Sequence, residues 1–329
     1  MSDMIDMLTD QAGRLFTDLI DRELLVAMEE GEAPAALAEA VDAFGLADAL
    51  TVAAEDGGLS FADAGVLFAL FGFHAVPLPI GETMLARMLL ARAGVDAPAG
   101  DIALGDRTVG SASAAPYVLL SEAGRLVLLP AGGEGGASMS RMPRRAIDAN
   151  ADPLADTAWP VGLPDATTLG AMLRASQIAG GVARALALTV DYANERKQFG
   201  KPLGRFQAIQ QQLAALAAEA AAARSVADAA WAALDAGALG HMAAVAKIRT
   251  GQAARIACAV AHQVHGAIGV TDEHVLHYTT RRLWEWRLDF GSDGHWAALL
   301  GRAAREAEGG LWRFLTTGCP STQKSKEPA

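Results

Sequence analysis

The sequence of 329 residues has little cysteine, few aromatic side chains and a deficit of basic charge. Two cysteines, Cys258 and Cys319, are too few for a disulfide framework or a structural zinc site, and this scarcity fits a reducing cytoplasm. Because 27 Lys and Arg stand against 38 Asp and Glu, the net charge of −11 repels the phosphates of nucleic acids and anionic membranes. We therefore expect neither nucleic acid nor a membrane among its partners.

Long apolar runs are absent as well. The longest, residues 64–73, ends at His74 and is much shorter than the roughly 20 residues that a membrane-spanning helix needs. Residues 1–10 lack the basic start and the apolar centre of a signal peptide. Both observations predict a cytoplasmic protein.

Helical patterns dominate the two ends of the sequence. Hydrophobic residues make up 52% of the chain although aromatics are only 6%, and the excess comes largely from alanine, a strong helix former. The pattern from Met4 to about Gly94 breaks at 31–34, 56–58 and 77–81, and it predicts four or more helices. A second helical region runs from residue 166 to about residue 315.

The middle of the sequence has a different character. Residues 117–120 and 125–129 are short apolar runs flanked by turn residues, and they predict two strands. The Gly- and Ser-rich stretch 132–140 is interpreted as a flexible loop. The predicted fold is mostly α with a small β module. It comprises an N-terminal all-α domain (1–98), a shortened middle β domain (99–165), a C-terminal α-helical bundle (166–318) and a disordered tail (319–329).

Two long C-terminal helices are predicted to pack through their larger apolar residues, as in a four-helix bundle. These residues recur at helical spacing, as Phe206, Ile209, Leu213, Leu216 and Ala220 in the first helix and as Val245, Ile248, Ile256, Val260 and Val264 in the second.

The loop between two helical patterns at 192–207 carries the densest set of candidate functional residues. It offers four cations, Arg196, Lys197, Lys201 and Arg205, and two aromatic rings, Phe199 and Phe206. Such a set can pair with a phosphate and pack against a flat ring. A solvated turn between two helices explains the spacing equally well.

Three motifs, in the same order as in a known family, extend this reading. The sequence Glu-Arg-Lys-Gln-Phe-Gly at 195–200, followed by Leu203 and Phe206, resembles the start of the C-terminal bundle of acyl-CoA dehydrogenases. Residues 55–58, with Asp63, Pro77, Pro79 and 82–83, resemble the N-terminal domain of that family. Gln-Val-His-Gly-Ala-Ile-Gly at 263–269 resembles its second flavin-contacting turn.

The resemblance implies a flavoenzyme in which FAD lies across a subunit interface. The residues that it places near the cofactor are Arg196, Gln198, Phe199, Leu203, Phe206, Ile209, Gln263 and Gly266. Many relatives carry a second glycine where this chain has Ala267. The family's β domain also carries a stretch that holds the flavin ring, which is missing here, so we expect the chain not to bind the reactive end of its own flavin.

The family's catalytic base is a carboxylate that removes the α proton of an acyl-CoA thioester. The usual position, just before Gly291 and Ser292, holds Phe290, and the alternative position aligns with Gly170. Asp289 and Glu285 lie nearby. Asp289 is a weak candidate for the base, and an ion pair with Arg287 at the surface is the favoured interpretation.

Histidines and tryptophans in the last helices receive structural interpretations. His262 and His265, like His274 and His277, are three residues apart, yet packing or hydrogen bonding explains them better than a metal site. Three tryptophans are expected to lie in the core or at a subunit interface, namely Trp284, Trp286 and Trp296.

The resemblance is closest to the short subunits of heteromeric acyl-CoA dehydrogenases, some of which act on CoA thioesters of steroid side chains. It implies FAD-dependent α,β-dehydrogenation of a CoA thioester by a base-lacking chain. The implied partners are a full-length acyl-CoA dehydrogenase subunit in a heterotetramer and an electron-accepting flavoprotein. The alternatives are a self-sufficient homomeric enzyme that uses Asp289 as its base, and a flavin-free scaffold subunit.

Overall fold

The computed structural model describes residues 3–53, 56–105, 111–148 and 150–316. Glu55, Cys319 and the tail predicted at 319–329 lie outside these ranges. Within them, helices occupy both ends of the chain and strands occupy the middle, as the sequence predicted. No helix among these residues is long and apolar enough to cross a membrane.

Five helices precede the strands, and their ends follow from local chemistry. They are α1 (Asp3–Leu19), α2 (Arg22–Glu29), α3 (Ala35–Phe44), α4 (Phe61–Phe73) and α5 (Ile80–Arg92). Ser60 and Asp63 form a capping box at the start of α4. The carboxylate of Asp235 also accepts hydrogen bonds from the backbone N–H groups of Phe61 and Ala62, at 2.9 and 2.8 Å.

Two sheets form the middle region. One contains β1 (Ile102–Leu104), β3 (Tyr117–Glu122), β4 (Arg125–Pro130) and β7 (Ala155–Ala158) in the order β1-β3-β4-β7, with only β1 and β3 parallel. The other contains β2 (Ser111–Ser113), β5 (Glu134–Ala137) and β6 (Pro143–Ala146) in the order β2-β6-β5. The predicted strands at 117–120 and 125–129 are therefore confirmed as β3 and β4.

The prediction of a flexible loop at 132–140 was wrong for residues 134–137. Residues Glu134–Ala137 form β5, which pairs with β6. A Cβ on Gly135 would lie 2.8 Å from the carbonyl carbon of Arg145, so glycine here permits a close approach of two backbones. Glycine-rich composition was therefore a sign of tight strand packing and not of a loop.

The C-terminal region is a bundle of α6 (Ala166–Glu195), α7 (Gln207–Asp235), α8 (Met242–His265) and α9 (Leu276–Leu288), followed by α10 (Asp293–Glu306) and α11 (Gly310–Thr316). The predicted helical bundle is confirmed. Helix α4 of the N-terminal region packs directly on α6. A Cβ on Gly180 would lie 1.8 Å from the carbonyl oxygen of Ala69, so α4 and α6 touch through their backbones.

The apolar faces predicted for α7 and α8 were partly wrong, although Ala220, Ile248 and Val260 pack against core residues. Of the residues chosen, only Leu216 and Val264 are buried, and the others are partly exposed. Small residues allow the helices to approach closely, and the buried positions are therefore largely alanines. In α8 the buried alanines are Ala243, Ala244, Ala246, Ala253, Ala254, Ala257 and Ala261.

Candidate functional site

The loop between α6 and α7 is a tight hairpin. Strands β8 (Lys197–Gln198) and β9 (Lys201–Pro202) pair with each other, and Phe199 and Gly200 form the two-residue turn. Both turn residues have positive φ, at 51° and 81°, as a type I′ turn requires. Glycine adopts this conformation readily, whereas it strains a bulky residue such as Phe199.

Phe199 is 90% exposed despite this strained backbone. Its ring contacts the edge of Phe206, with centroids 6.2 Å apart, and the ammonium of Lys201 lies 4.2 Å from the Phe206 centroid. The hairpin thus presents an aromatic and cationic tip away from the body of the chain.

A groove of about 500 Å³ lies beside this hairpin and brings two distant motifs together. The predicted residues that line it are Arg196, Gln198, Leu203, Ile209, Gln263 and Gly266. Phe199 lies at the tip of the hairpin next to it, and Phe206 lies just before α7. Four further lining residues stand in the two predicted motifs but were not named as cofactor contacts from the sequence, namely Tyr192, Val264, His265 and Ile268.

The groove offers a cation and bare backbone to an anionic ligand. Among the described residues no carboxylate pairs with the exposed side chain of Arg196, so its guanidinium is available to an anion. Gly266 has a φ of 65°, and nothing lies within 4 Å of the position that its Cβ would take. A ligand can therefore reach the bare backbone at that residue. Ala267 also lines the groove, so the departure from two glycines leaves the groove open.

Histidines form the wall behind the groove. The His265 ring stacks on Tyr192, with centroids 4.4 Å apart, and its Nδ1 lies 2.7 Å from the carbonyl oxygen of Ala261. His262 Nε2 lies 2.8 Å from Thr280 Oγ1. Burial lowers the pKa of both histidines below the usual value, which favours neutral rings.

The other histidine pair is also held by local hydrogen bonds. His277 Nδ1 lies 2.9 Å from the carbonyl oxygen of His274, and His274 Nδ1 accepts from the backbone N–H of Leu276. No group of three or more His, Cys, Asp or Glu side chains in the described ranges could hold a metal ion. Of the tryptophans, Trp286 and Trp296 are buried, whereas Trp284 is 38% exposed.

The base region at the end of α9 lacks a free carboxylate. Phe290 has a φ of 53°, and its ring packs against Gly170 on α6. A Cβ on Gly170 would lie 2.5 Å from that ring, so the two positions that the family uses for its base are neighbours in space. Neither position offers a lone pair that could accept a proton.

The predicted surface ion pair between Asp289 and Arg287 was wrong. Arg287 pairs with Asp293 at 2.6 Å, whereas the Asp289 carboxylate accepts from Nε of Arg174 at 3.0 Å. The Asp289 side chain is only 14% exposed, and Arg144 lies 3.7 Å from its second oxygen. The partner at position 174 is 115 residues away along the chain. No local pattern could have revealed it.

Glu285 is equally engaged. Its carboxylate accepts hydrogen bonds from the Ser138 hydroxyl at 2.7 Å, from the backbone N–H of Ser140 at 3.0 Å and from the Ser140 hydroxyl. Burial alone would raise its pKa, but these donors hold the pKa of Glu285 below the usual value. Such a carboxylate is a poor proton acceptor.

Comparisons with known proteins agree with the fold. Residues 165–293 match the family model described as acyl-CoA dehydrogenase, C-terminal domain. The chain is 35% identical over 254 residues to acyl-CoA dehydrogenase IpdE2 of Mycobacterium tuberculosis, which covers 72% of this chain and 76% of that protein. It is 31% identical to IpdE2 of Mycolicibacterium smegmatis, over 69% of this chain and 75% of that one.

Solved structures give the same result. A variant of the Tcur3481–Tcur3483 steroid acyl-CoA dehydrogenase superposes with a TM-score of 0.78 at 25% identity, over 91% of this chain and 97% of that one. The ChsE4–ChsE5 complex of M. tuberculosis shares the fold, with a TM-score of 0.76 at 17% identity over 94% of this chain and 99% of that one. The chain therefore belongs to the acyl-CoA dehydrogenase family, whose members are FAD-dependent oxidoreductases that act on CH–CH groups of acyl-CoA thioesters.

Proposed function

We propose that this chain is the base-lacking short subunit of a heteromeric acyl-CoA dehydrogenase and completes the FAD site of a full-length partner. One contrast supports the proposal. The groove beside the hairpin keeps the features that an FAD contact needs, whereas the base positions at Phe290 and Gly170 carry no carboxylate. A chain that has such a groove but lacks the carboxylate base is suited to assist a neighbour's reaction.

The groove residues divide the contacts with the partner's FAD. Arg196 would bind the pyrophosphate, because its planar guanidinium can pair with two phosphate oxygens. Gln198 and Gln263 would donate amide hydrogen bonds, and the bare backbone at Gly266 would lie against the cofactor. The apolar support would come from Leu203, Phe206 and Ile209, with Phe199 at the exposed tip. When bound, FAD supplies the hydride acceptor of the reaction.

The proton acceptor must then come from the partner. A general base has to lie within hydrogen-bonding reach of the proton that it removes. Both oxygens of Asp289 face arginines, at 3.0 Å from Arg174 and 3.7 Å from Arg144. This engagement argues against the homomeric alternative in which Asp289 is the base.

The substrate class is proposed from the relatives. The Tcur3481–Tcur3483 structure is named as a steroid acyl-CoA dehydrogenase, and the name gives two components. It superposes on 91% of this chain. We assign this chain to a heteromer that dehydrogenates the CoA thioester of a bulky, ring-bearing acyl group and passes electrons to a second flavoprotein.

Co-expression with a full-length family member from the same genome tests the proposal. We expect a yellow heteromer with one FAD per pair of unlike chains, measured by flavin absorbance and by mass from light scattering. A yellow, active homo-oligomer with one FAD per chain would establish the homomeric alternative. A heteromer in which variants of Arg196 and Gln263 leave FAD binding unchanged would establish the scaffold alternative.

A further inference from the structure

Six charged side chains meet where the N-terminal helices, the β module and the bundle come together. We call them the charge cluster. Its members are Glu82 on α5, Arg144 on β6, Arg174 on α6, Arg282 and Glu285 on α9, and Asp289 just after α9.

Arg174 is the centre of the charge cluster. Its Nη2 donates to Glu82 Oε1 at 2.6 Å, its Nε to Asp289 Oδ2 at 3.0 Å, and its Nη1 to Gln177 Oε1 at 2.7 Å. Burial alone lowers the pKa of Arg174, but the carboxylates of Glu82 and Asp289 outweigh it and raise the pKa above the usual value. The guanidinium therefore stays charged inside the protein.

Glu82 carries the contacts across to the β module. Although only 2% exposed, it accepts from the backbone N–H of Leu104 at 3.0 Å and from the Ser113 hydroxyl at 2.7 Å. Because Arg174 also donates to it, this one carboxylate joins α5, β1, β2 and α6.

The remaining members join α9 to the β module. Arg144 lies 3.6 Å from Glu285 and 3.7 Å from Asp289. Arg282 donates to the carbonyl oxygen of Val76 at 2.9 Å and to the Met142 sulfur at 3.0 Å. Glu285 lies near enough to Arg282 to raise its pKa, although burial still lowers the pKa of Arg282 to about 10.

The charges of the cluster balance. Three of the six side chains are arginines and three are carboxylates, so these six need no bound anion to neutralise them. Buried charges are tolerated when they are paired and hydrogen-bonded, and removal of one partner is strongly destabilising. A self-neutralised cluster is therefore stable without a ligand.

The charge cluster also divides the space between the β module and the bundle. Cavities of about 200 and 270 Å³ lie on its two sides, and both are lined by Glu82, Ser113, Arg144 and Arg174. The smaller one contains the base position at Phe290. Each is below the roughly 300–1,000 Å³ that small-molecule sites usually offer.

We infer that the charge cluster closes this chain's own catalytic cleft, which lies between the β module and the bundle. The charge cluster also replaces a bound ligand as the contact that joins the N-terminal helices, the β module and the bundle. The cleft then accepts no flavin ring. The inference deepens the proposed function and rests on it only for the statement that the partner holds the FAD. The closure itself follows from side chains of this chain.

The first test uses variants of the central pair in the purified protein. Glu82→Gln leaves Arg174 underpaired, so we expect the melting temperature to fall by about 5–10 °C. Hydrogen exchange of peptides that contain Leu104 should accelerate at least about tenfold, because its N–H loses the carboxylate acceptor. Arg174→Met should act similarly, and the double variant should lose less than the sum of the two.

The matched control is Arg224→Met, which breaks an exposed ion pair with Asp228 on α7. This variant should change the melting temperature by no more than about 1 °C. It should leave hydrogen exchange at β1 unchanged. Equal effects of Glu82→Gln and Arg224→Met would overturn the inference.

The second test asks whether the cleft is closed. Lumiflavin is the flavin ring without phosphates. In equilibrium dialysis, the assembled complex with its FAD in place should bind no lumiflavin. One lumiflavin bound per chain would overturn the closure. This test is separate from the test of the proposed function. The proposed function would be refuted by a different FAD stoichiometry or subunit composition.

Discussion

The phenyl ring of Phe290 fills the space that a side chain at position 170 would need. A Cβ on Gly170 would lie 2.5 Å from both Cδ1 and Cε1 of the ring. The side chains at these two positions therefore constrain each other, although they are 120 residues apart in sequence.

Gly170→Ala should therefore destabilise the protein. Overpacking against Phe290 costs about 1–3 kcal/mol, against a gain of about 1 kcal/mol in helix propensity, so the net loss is up to about 2 kcal/mol. In a Phe290→Ala background the same change should be neutral or stabilising. Urea unfolding of the parent, the two single variants and the double variant measures the cost of Gly170→Ala in both backgrounds. An equal cost in the two backgrounds would contradict the contact.

Asp289→Asn tests whether this carboxylate is the base. Because Asp289 is bound by Arg174, we expect a rate loss below about tenfold in the assembled enzyme, whereas removal of a true base costs on the order of 10²–10⁴. The melting temperature should fall, since Arg174 loses a charged partner. Glu285→Gln should likewise keep most of the rate. A drop in the larger range for Asp289→Asn with FAD still bound would support the homomeric enzyme.

The contrast between the groove and the charge cluster shows what the sequence could reveal. Arg196, Gln198 and Gln263 stand in short motifs, and their arrangement in one groove followed from the resemblance. Glu82 stands in the N-terminal motif, but its partner Arg174 is 92 residues away and stands in no motif. Their pairing depends on how α5 and α6 pack, which periodicity does not encode.

The helix faces show a second limit. Spacing favoured Ile248 and Ile256 as core residues of α8, but the buried positions are alanines such as Ala246 and Ala253. In an alanine-rich helix, hydrophobic size does not identify the inner face, because the closest packing selects the smallest residues.

Arg196→Ala should sharply lower FAD retention by the assembled complex. The guanidinium supplies the proposed contact with the pyrophosphate, and its loss removes a charge-assisted pair worth about 1.5–3 kcal/mol, or roughly ten- to hundredfold in affinity. Flavin absorbance after gel filtration measures the loss, and unchanged far-ultraviolet circular dichroism checks the fold. Arg205→Ala, which removes an exposed cation outside the groove lining, is the control and should retain FAD. Equal retention by both variants would refute the assignment.

Gly180→Ala tests the backbone contact between α4 and α6. The added methyl would meet the carbonyl oxygen of Ala69 at 1.8 Å, so the two helices must separate, at a cost of about 3 kcal/mol or more. Gly301→Ala on α10 is the control, because nothing lies within 4 Å of its Cβ position. That change should stabilise the protein by up to about 1 kcal/mol through helix propensity. Thermal unfolding of both variants decides the matter, and a Gly180→Ala protein as stable as the parent would disprove the contact.

Lys247 makes stability depend on pH. Its side chain is fully buried, and its Nζ donates to the carbonyl oxygens of Trp286 at 2.6 Å and Arg287 at 3.0 Å, at the end of α9. Burial lowers the pKa of Lys247 from 10.5 to about 7, although Asp289 and Asp293 oppose the shift. Between these two pH values the unfolded chain binds more protons than the folded one, so stability rises with pH across that window.

The expected size follows from the same linkage. The free energy of unfolding of the parent, relative to that of Lys247→Met, should increase by about 2 kcal/mol between pH 7 and pH 9. Urea unfolding at both pH values measures this difference and cancels the groups that titrate in both proteins. Lys197→Met, on the exposed hairpin, is the matched control and should follow the parent across the same range. If the difference between the parent and Lys247→Met stays constant from pH 7 to pH 9, Lys247 is not the buried titrating group that its surroundings indicate.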